Sequence, residues 1–359
     1  MVTTLFDDVI GHGRVVGLLT RDIARPSQSY LFIGPAGVGK TTVARRFAAA
    51  LLCPTAGEHA EPCSSCRRAA SGSHPDLIAI EPAGSTMLTV DQARLTVAQS
   101  RLTPVEGDRK IFLFPEAGAM SEGAANALLK TLEEPSVSTV FLLASEAEED
   151  LPATIASRCR TIQLGRVDES ELRMGLAARG VAADQAEQVA KIAAGRPGLA
   201  LTLATQPEAA QYRRVWMGVP QRVSPVPGRA FLLAEEVLAS LDPMLGALEQ
   251  RHTDEVAEAE DQGGAGKILK DRQVRERKRA EQALLISGLE MLASWYTDSA
   301  AAQFGGEVRN RDIPVHDLAM ITPARAVWAA ERALDAVISL RSNQRRKLVL
   351  TELFADLGA

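Results

Sequence analysis

The sequence predicts an α/β domain with a parallel sheet, followed by a part of the chain that is helical only. Short apolar or β-branched runs alternate with amphipathic stretches up to about residue 165, a pattern typical of buried parallel strands joined by helices. Beyond that point only helical periodicity remains. Aromatic residues make up 4% of the 359 residues. The cores are therefore expected to be aliphatic, as in a helix-rich fold.

The predicted strands are Tyr30–Ile33, Leu77–Ile80, Ile111–Phe114, Thr139–Leu143 and Thr161–Leu164. The helical patterns between and after them cover Thr41–Leu52, Thr89–Gln99, Glu122–Leu132, Glu169–Arg179 and Ala183–Ala194. Gly180 and Gly195 follow the last two and are suited to helix C-caps. These patterns divide the chain into an α/β part at 1–165, a small helical part at 166–206 and a helical part at 207–359.

The helical part at 207–359 is expected to contain loops at Gly218–Gly228 and Gly263–Gly266. Its last helix carries a continuous apolar stripe at positions i, i+3, i+4 and i+7. The residues of this stripe are Leu350, Leu353, Phe354 and Leu357.

The charge of the chain limits the classes of partner. A net charge of −5 argues against a uniformly basic nucleic-acid coat, so any DNA contact is expected to be regional. Residues 267–281 hold seven Lys or Arg against three acids, after five acids at 254–261. This run is either a solvated helix or a helix that binds DNA phosphates or a partner. The start of the chain lacks a secretory signal, and no apolar run could cross a membrane. We expect a cytoplasmic protein.

A phosphate-binding loop is predicted between the first strand and the following helix. Residues 34–41 read Gly-Pro-Ala-Gly-Val-Gly-Lys-Thr and match G-x-x-x-x-G-K-[ST]. The glycines let backbone N–H groups converge on a phosphate, Lys40 would pair with the β and γ phosphates, and Thr41 would bind Mg²⁺. A glycine-rich turn without a ligand is the alternative. The candidate residues of this motif are Gly34, Gly37, Gly39, Lys40, Thr41 and Thr42.

The acidic residues that nucleotide hydrolysis requires are incomplete after the third strand. Glu116 can supply one carboxylate, but Pro115 stands where an acid that supports Mg²⁺ is expected, and proline offers no ligand. Glu116 could hold the metal itself, or Asp76 or Glu81 near the second strand could substitute, although the spacing favours neither of the latter two strongly. Alternatively, Pro115 only ends the strand. We expect weak or absent ATPase activity from the chain alone.

Three further segments resemble one family. Residues 124–135 read Ala-Ala-Asn-Ala-Leu-Leu-Lys-Thr-Leu-Glu-Glu-Pro, residues 151–155 read Leu-Pro-Ala-Thr-Ile, and residues 157–160 read Ser-Arg-Cys-Arg. Together with the phosphate-binding loop, they resemble the bacterial replicative clamp-loader ATPases of the AAA+ superfamily. Phe6–Gly11 is similar to the segment that wraps adenine in that family, which implies that Val9 and Ile10 contact the base.

The resemblance implies a RecA-like AAA+ domain at 1–165, a helical lid at 166–206 and an oligomerising collar at 207–359. It implies that Arg158 is an arginine finger, a cation that acts in trans on the nucleotide of an adjacent subunit. An internal salt bridge is the alternative for this arginine. Ser145 corresponds to a residue that senses nucleotide at the end of the fourth strand. Arg196 lies two residues from the expected arginine sensor and could still reach the phosphate.

Within the family, the residues are more similar to delta-prime subunits than to the gamma/tau motor. Pro115 replaces an acid, Ser145 replaces a threonine, and residues 195–198 read Gly-Arg-Pro-Gly. The resemblance implies a hetero-oligomer with gamma/tau and delta subunits that helps load the sliding clamp onto primed DNA, with ATP or ADP and Mg²⁺ as ligands. An active ATPase, either motor-like or another AAA+ enzyme, is the alternative. A general ATP-binding scaffold without a DNA role is a further one.

The cysteines suggest a zinc module at 53–76. The family's module has one Cys, a spacer, and then C-x2-C-x2-C, and this chain supplies Cys53, Cys63 and Cys66. Ala69 stands at the fourth position, so zinc needs another ligand. His59 is the better candidate, because His74 lies in a segment that also occurs in relatives with all four cysteines. The alternative is a set of thiols without a metal.

Overall fold

The computed structural model describes residues 4–57, 59–82, 87–205, 208–261, 267–342 and 344–359. Its contacts divide the chain into two compact units. The first is Met1–Gly175 with Ala194–Gly198, and the second is Leu176–Ala193 with Leu199–Ala359. The three-part division at 165 and 206 stays a prediction. The boundary at 206–207 and the predicted loop at Gly263–Gly266 lie outside the described residues.

The first unit contains a parallel sheet of five strands in the order β2-β3-β4-β1-β5. The strands are Ser29–Ile33 (β1), Leu77–Ala79 (β2), Lys110–Phe114 (β3), Thr139–Ser145 (β4) and Arg160–Gln163 (β5). Each lies on one of the predicted apolar runs, and the predicted α/β class is confirmed. Because the strands are parallel, their carboxyl ends share one edge of the sheet, where the loops that follow β1, β3 and β4 meet.

The helices of the chain, in order, are Gly13–Asp22 (α1), Lys40–Leu51 (α2), Ser64–Ser71 (α3), Val90–Ser100 (α4), Glu122–Glu133 (α5), Ala153–Ala156 (α6), Glu169–Ala177 (α7), Ala183–Ala193 (α8), Pro197–Thr205 (α9), Glu208–Met217 (α10), Pro227–Ala239 (α11), Asp242–Asp261 (α12), Lys267–Gln303 (α13), Val315–Leu318 (α14), Pro323–Arg341 (α15) and Arg346–Gly358 (α16). Short 3-10 turns occur at Thr4–Phe6, Ala117–Ala119 and Val219–Gln221. The last turn and the start of α11 at Pro227 fall inside the predicted loop at Gly218–Gly228.

Alternate residues of each strand enter the cores on opposite faces of the sheet. Tyr30 and Phe32 pack with α2 on one face. Leu31 and Phe112 pack with residues of α5 on the other. This alternation follows from the two-residue period of a strand, and both faces are apolar because helices cover both.

The second unit is entirely helical in its described residues, and its core is aliphatic and aromatic. All four residues of the predicted stripe on α16 are buried, as expected. Trp216 on α10 is fully buried, and a methyl group at Gly288 on α13 would lie 2.0 Å from its ring. Glycine at 288 is therefore what lets α13 pass this close to the indole.

The charged run on α13 pairs in part with the acids of α12. Arg277 contacts Glu249, lies 3.4 Å from an oxygen of Asp242 and donates at 2.9 Å to Glu281, and Arg251 pairs with Glu276. Ion pairs within the chain thus neutralise part of the charge of this run, while Lys270 and Lys278 are exposed. In the described ranges, no helix combines the length and the apolar character needed to cross a membrane.

Candidate functional site

The phosphate-binding loop connects β1 to α2 with its glycines in left-handed conformations. The φ angles are 150° at Gly34, 79° at Gly37 and 101° at Gly39, which side chains rarely adopt. A methyl group at Gly34 would lie 2.0 Å from the carbonyl oxygen of Leu164. Gly39 is the N-cap of α2 and no side chain caps it, so the positive end of the helix opens onto the loop. This geometry suits an anion such as a phosphate.

The candidate side chains of the loop lie at the start of α2. Lys40 donates from Nζ to the carbonyl oxygens of Gly34 at 2.6 Å and Pro35 at 2.9 Å, so its ammonium group lies over the loop. Thr41 is half-buried and Thr42 is exposed. A bound phosphate could replace these carbonyl oxygens as the hydrogen-bond acceptor of the ammonium group after only a small movement of the Lys40 side chain.

Arg196 packs against this loop although it lies far away in sequence. Its side chain is 6% exposed, and a methyl group at Gly37 would lie 3.6 Å from its Cβ and Cδ. The amide of Gly198 donates to the carbonyl oxygen of Gly37 at 3.4 Å. The structure therefore brings the predicted arginine and the predicted loop together.

The predicted adenine segment lies beside α7. Ile10 is buried and fills the space beside Gly175, where a methyl group would lie 2.5 Å from Ile10 Cγ2. Val9 is half-buried and packs on the same core as β1. His12 joins this segment to the phosphate-binding loop, since its Nε2 lies 2.9 Å from the carbonyl oxygen of Val38. Sequence reasoning missed His12, although its place directly after Gly11 was a signal.

Glu116 and Ser145 lie at the same edge of the sheet. Strand β3 ends at Phe114, immediately before Pro115, and Glu116 is exposed. Ser145 ends β4 and pairs in register with Ile33, the residue before the phosphate-binding loop. A methyl group at Gly118 would lie 2.9 Å from Ser145 Oγ, so the segment after Glu116 contacts the serine.

Asp150 is a residue of this edge that sequence reasoning missed. Ser145 Oγ donates to its carboxylate at 2.9 Å, and the amide of Ala147 donates to the same oxygen at 2.8 Å. The acidic stretch at 146–150 was the available signal. The hydroxyl of Ser145 is thus held by a carboxylate, and an additional acid lies beside the segment that carries Glu116.

Asp76 and Glu81 were the two other acids considered as ligands for Mg²⁺, and they lie at opposite ends of β2. Asp76 precedes β2, at the opposite end of the parallel strands, and is fully buried. Its carboxylate accepts the amides of Val105, Glu106 and Gly107 at 2.6, 2.9 and 3.3 Å. Asp76 therefore anchors the turn before β3, and the idea that it could substitute at the magnesium site is wrong. Glu81 follows β2, and its carbonyl oxygen accepts the side-chain amide of Gln92.

Arg158 lies after α6 and forms the internal salt bridge considered as its alternative. Its Nε donates to Glu133 Oε1 at 2.8 Å, and its Nη2 also contacts this oxygen. Its Nη1 donates to the carbonyl oxygen of Thr154 at 2.8 Å and to Ser157 Oγ at 3.3 Å. The side chain is one-third exposed. An action in trans on a neighbouring nucleotide stays a prediction.

The predicted zinc ligands form one cluster at the other end of α2. The ligand atoms of Cys53, His59, Cys63 and Cys66 all lie within 4.8 Å of one another. The sulfurs of Cys63 and Cys66 are 3.5 Å apart, those of Cys53 and Cys63 are 4.0 Å apart, and His59 Nε2 lies 3.3 Å from Cys66 Sγ. Tetrahedral zinc with bonds of about 2.3 Å requires sulfurs about 3.8 Å apart. The cluster therefore fits zinc in size and in ligand type.

Neighbouring residues decide which side chains can join this cluster. Ala69 packs in the core, and its methyl side chain has no atom that could bind a metal. His74 Nε2 lies 3.0 Å from Ser65 Oγ, and its Nδ1 accepts the amide of Asp76 at 3.1 Å. Both ring nitrogens of His74 thus already have hydrogen-bond partners, which agrees with the expectation that His74 is not a metal ligand.

The thiols of the cluster have shifted pKa values. Burial raises the pKa of Cys53, but hydrogen bonds from Thr55, Gly57 and Cys66 outweigh this effect and lower the pKa to about 6. Burial and the neighbouring Cys63 and Cys53 raise the pKa of Cys66. One thiolate is therefore favoured before any metal binds, and a cation at the centre of the cluster would favour all three.

Comparison with known proteins finds one family that is similar to most of the first unit. The family described as DNA polymerase III, delta subunit matches residues 12–168. DNA polymerase III subunit delta' of Pseudomonas aeruginosa is 45% identical over 139 residues, which are 38% of this chain and 42% of the relative. DNA polymerase III subunit tau of Escherichia coli is 39% identical over 173 residues, which are 47% of this chain and 26% of the relative. The chain thus covers less than half the length of these relatives.

Among solved structures, a DNA polymerase III gamma subunit-related protein from Thermotoga maritima aligns with 96% of this chain and 98% of its own. Its TM-score is 0.44 and its identity is 16%, so the fold assignment rests on the strand order described above. Relatives named delta' are 45% and 40% identical over 38% and 42% of this chain, and a relative named tau is 39% identical over 47% of it. Residues 12–168 are therefore similar to DNA polymerase III delta' and tau/gamma subunits, and the predicted resemblance is confirmed.

Proposed function

We propose that this chain is a delta-prime-like subunit of a replicative clamp loader. In this proposal it binds ATP or ADP with Mg²⁺, turns nucleotide over weakly or not at all, and supplies Arg158 to the nucleotide of an adjacent subunit. It acts in the cytoplasm within a hetero-oligomer that contains gamma/tau and delta subunits. Through that complex it helps place the sliding clamp on primed DNA.

The observation that carries the proposal is the contrast between a well-formed phosphate-binding loop and an altered acidic edge. The loop has its glycine conformations, Lys40 and the packed Arg196. At the end of β3, however, Pro115 offers no ligand for Mg²⁺, and Asp150 already accepts the Ser145 hydroxyl. Binding without efficient hydrolysis is the expected consequence.

The cysteine cluster supports a structural zinc site in the same unit. Three sulfurs and one imidazole nitrogen at tetrahedral spacing match the ligands that close a structural site. Cys53 follows α2, whereas Cys63 and Cys66 lie at the start of α3. Zinc held by these residues would clamp the two helix ends together.

The test separates nucleotide binding, turnover and action in trans. The isolated chain should bind a fluorescent ATP analogue with Mg²⁺, lose this binding in Lys40→Ala, and show turnover close to background. In the reconstituted complex, Arg158→Ala should reduce ATP hydrolysis and clamp loading without loss of assembly. Arg160→Ala is the matched control, because Arg160 is two residues away and pairs with Asp22. Brisk hydrolysis by the isolated chain that Lys40→Ala abolishes would overturn the proposal.

Asp150 favours a second candidate function, an active ATPase. Its carboxylate lies at the edge of the sheet where Mg²⁺ is expected, and it could replace the acid missing at Pro115. This function predicts Mg²⁺-dependent turnover by the isolated chain that falls strongly in Asp150→Asn. Glu148→Asn, which changes an exposed acid of the same loop, is the control.

A further inference from the structure

Most N–H donors of the Arg158 guanidinium group already make hydrogen bonds within the same chain. It makes four hydrogen bonds, to Glu133 from Nε and Nη2 and to Thr154 and Ser157 from Nη1. An arginine has five N–H donors, and two of them must lie on one edge to bind a phosphate or carboxylate in the bidentate manner. Glu133 occupies the edge formed by Nε and Nη2. A phosphate therefore cannot bind that edge while Glu133 stays in place.

We propose that Glu133 is a latch for Arg158. It is a positioning residue that holds the guanidinium group against its own chain until the phosphate of a nucleotide on an adjacent subunit replaces the carboxylate. The inference rests on the proposed action of Arg158 in trans and adds a competitor for that arginine. The exchange breaks no covalent bond, since one anion replaces another on the same N–H groups.

The position of Glu133 supports a contact that is specific but easily released. Glu133 is the last residue of α5, and a carboxylate at the negative end of a helix is unfavourable without a cation beside it. The side chains of Arg158 and Glu133 are 33% and 45% exposed, so water weakens the ion pair. A nucleotide phosphate carries more negative charge than one carboxylate and can displace it. The bond from Nη1 to the carbonyl oxygen of Thr154 can remain during this exchange.

Glu134 provides a matched control for Glu133. It is the next residue, carries the same charge and is also exposed. Among the described contacts of Arg158, those to a carboxylate go to Glu133. Glu133→Gln and Glu134→Gln therefore change the net charge equally, but only the first removes the charged partner of the arginine.

The experiment measures ATP hydrolysis by the reconstituted complex as a function of ATP concentration. Glu133→Gln should raise kcat/KM about two- to fivefold without lowering kcat, as expected for loss of an exposed ion pair that competes with the phosphate. Glu134→Gln should equal the wild type. In the isolated chain, ¹⁵N NMR should show faster exchange with water of the Arg158 Nε–H in Glu133→Gln only.

The outcomes separate the latch from the arginine finger. If Arg158→Ala leaves hydrolysis by the assembled complex unchanged, both the finger and the latch are wrong. If Arg158→Ala reduces hydrolysis while Glu133→Gln equals Glu134→Gln, the latch alone is wrong. A fall of kcat in Glu133→Gln would also contradict the latch, because it would mean that Glu133 orients the arginine for catalysis. Thermal denaturation of each variant checks that the fold is intact.

Discussion

The two ends of α2 carry two sites that are built in different ways. At the amino end, the phosphate-binding loop uses backbone N–H groups, glycine conformations and the end of the helix. Just beyond the carboxyl end, Cys53 joins His59, Cys63 and Cys66 in a cluster of side chains. The first site is shaped by the backbone, through its glycine angles and the start of α2. The second brings thiols together in a half-buried place, which a bound cation makes favourable.

The two sites therefore differ in how much ligand binding contributes to the stability of the fold. A loop whose backbone is fixed by β1 and α2 adds affinity for a ligand but depends little on that ligand. If the cluster of thiols that joins α2 to α3 holds zinc as proposed, it depends on that metal, because the binding free energy of a structural metal is also folding free energy.

Loss of Cys66, a proposed zinc ligand, should have the largest effect. Cys66→Ser should abolish stoichiometric zinc and lower the melting temperature by about 10 °C or more, because several kcal/mol of metal binding are lost. Zinc analysis and thermal denaturation measure the two quantities. Cys159→Ser, a thiol outside the cluster, should keep the zinc. Equal melting temperatures with and without a chelator would contradict a structural role for the cluster.

Gly34→Ala should disrupt the amino end of α2. A methyl group there would lie 2.0 Å from a backbone oxygen, and the φ of 150° disfavours any side chain. We expect a loss of at least about 3 kcal/mol of stability together with loss of nucleotide binding. Gly13→Ala is the control, since nothing lies within 4 Å of the added methyl group, and it should be neutral or slightly stabilising. Normal nucleotide binding in Gly34→Ala would refute this account of the loop.

Arg196→Ala should weaken nucleotide binding while leaving the cysteine cluster unchanged. The arginine packs on Gly37, and loss of one charge-assisted contact to a phosphate is expected to raise the Kd about 10- to 100-fold. Titration with a fluorescent nucleotide measures the affinity, and zinc analysis checks the other end of α2. Arg94→Ala, which changes an exposed arginine on α4, should bind nucleotide normally. An unchanged Kd in Arg196→Ala would exclude it from the site.

A pH effect at the carboxyl end of α2 should be the smallest. His74 contacts Ser65, whose hydroxyl donates to the carbonyl oxygen of Leu52, and burial lowers the pKa of His74. Because the folded state disfavours the protonated imidazole, stability should fall as the pH drops below the unfolded pKa of about 6.5. The melting temperature of the metal-free protein should therefore fall by less than about 5 °C from pH 7 to pH 5.5. His74→Gln should reduce this slope, and an identical slope would exclude His74 as its source.

The sequence was informative wherever a short stretch of chain fixes its own structure. The five strands were predicted because apolar runs of buried parallel strands are continuous. The phosphate-binding loop was predicted because its glycines are dictated by local backbone angles. His59 was preferred to His74 because it lies between Cys53 and Cys63 and because His74 belongs to a segment that also occurs in relatives with four cysteines, and the structure brings His59 to the three cysteines.

Several contacts that bear on reactivity join residues far apart in sequence, and the sequence did not show which groups would meet. Glu133 holds Arg158, Arg196 packs on Gly37, and His12 contacts Val38. Asp150 lies only five residues after Ser145, but the acidic stretch at 146–150 did not show which carboxylate would hold the hydroxyl. The α/β class, the phosphate-binding loop and the ligand types of the cluster could be predicted from the sequence, because they follow from periodicity, backbone angles and spacing. Which carboxylate faces which donor could not be predicted, because that depends on how strands and helices pack side by side.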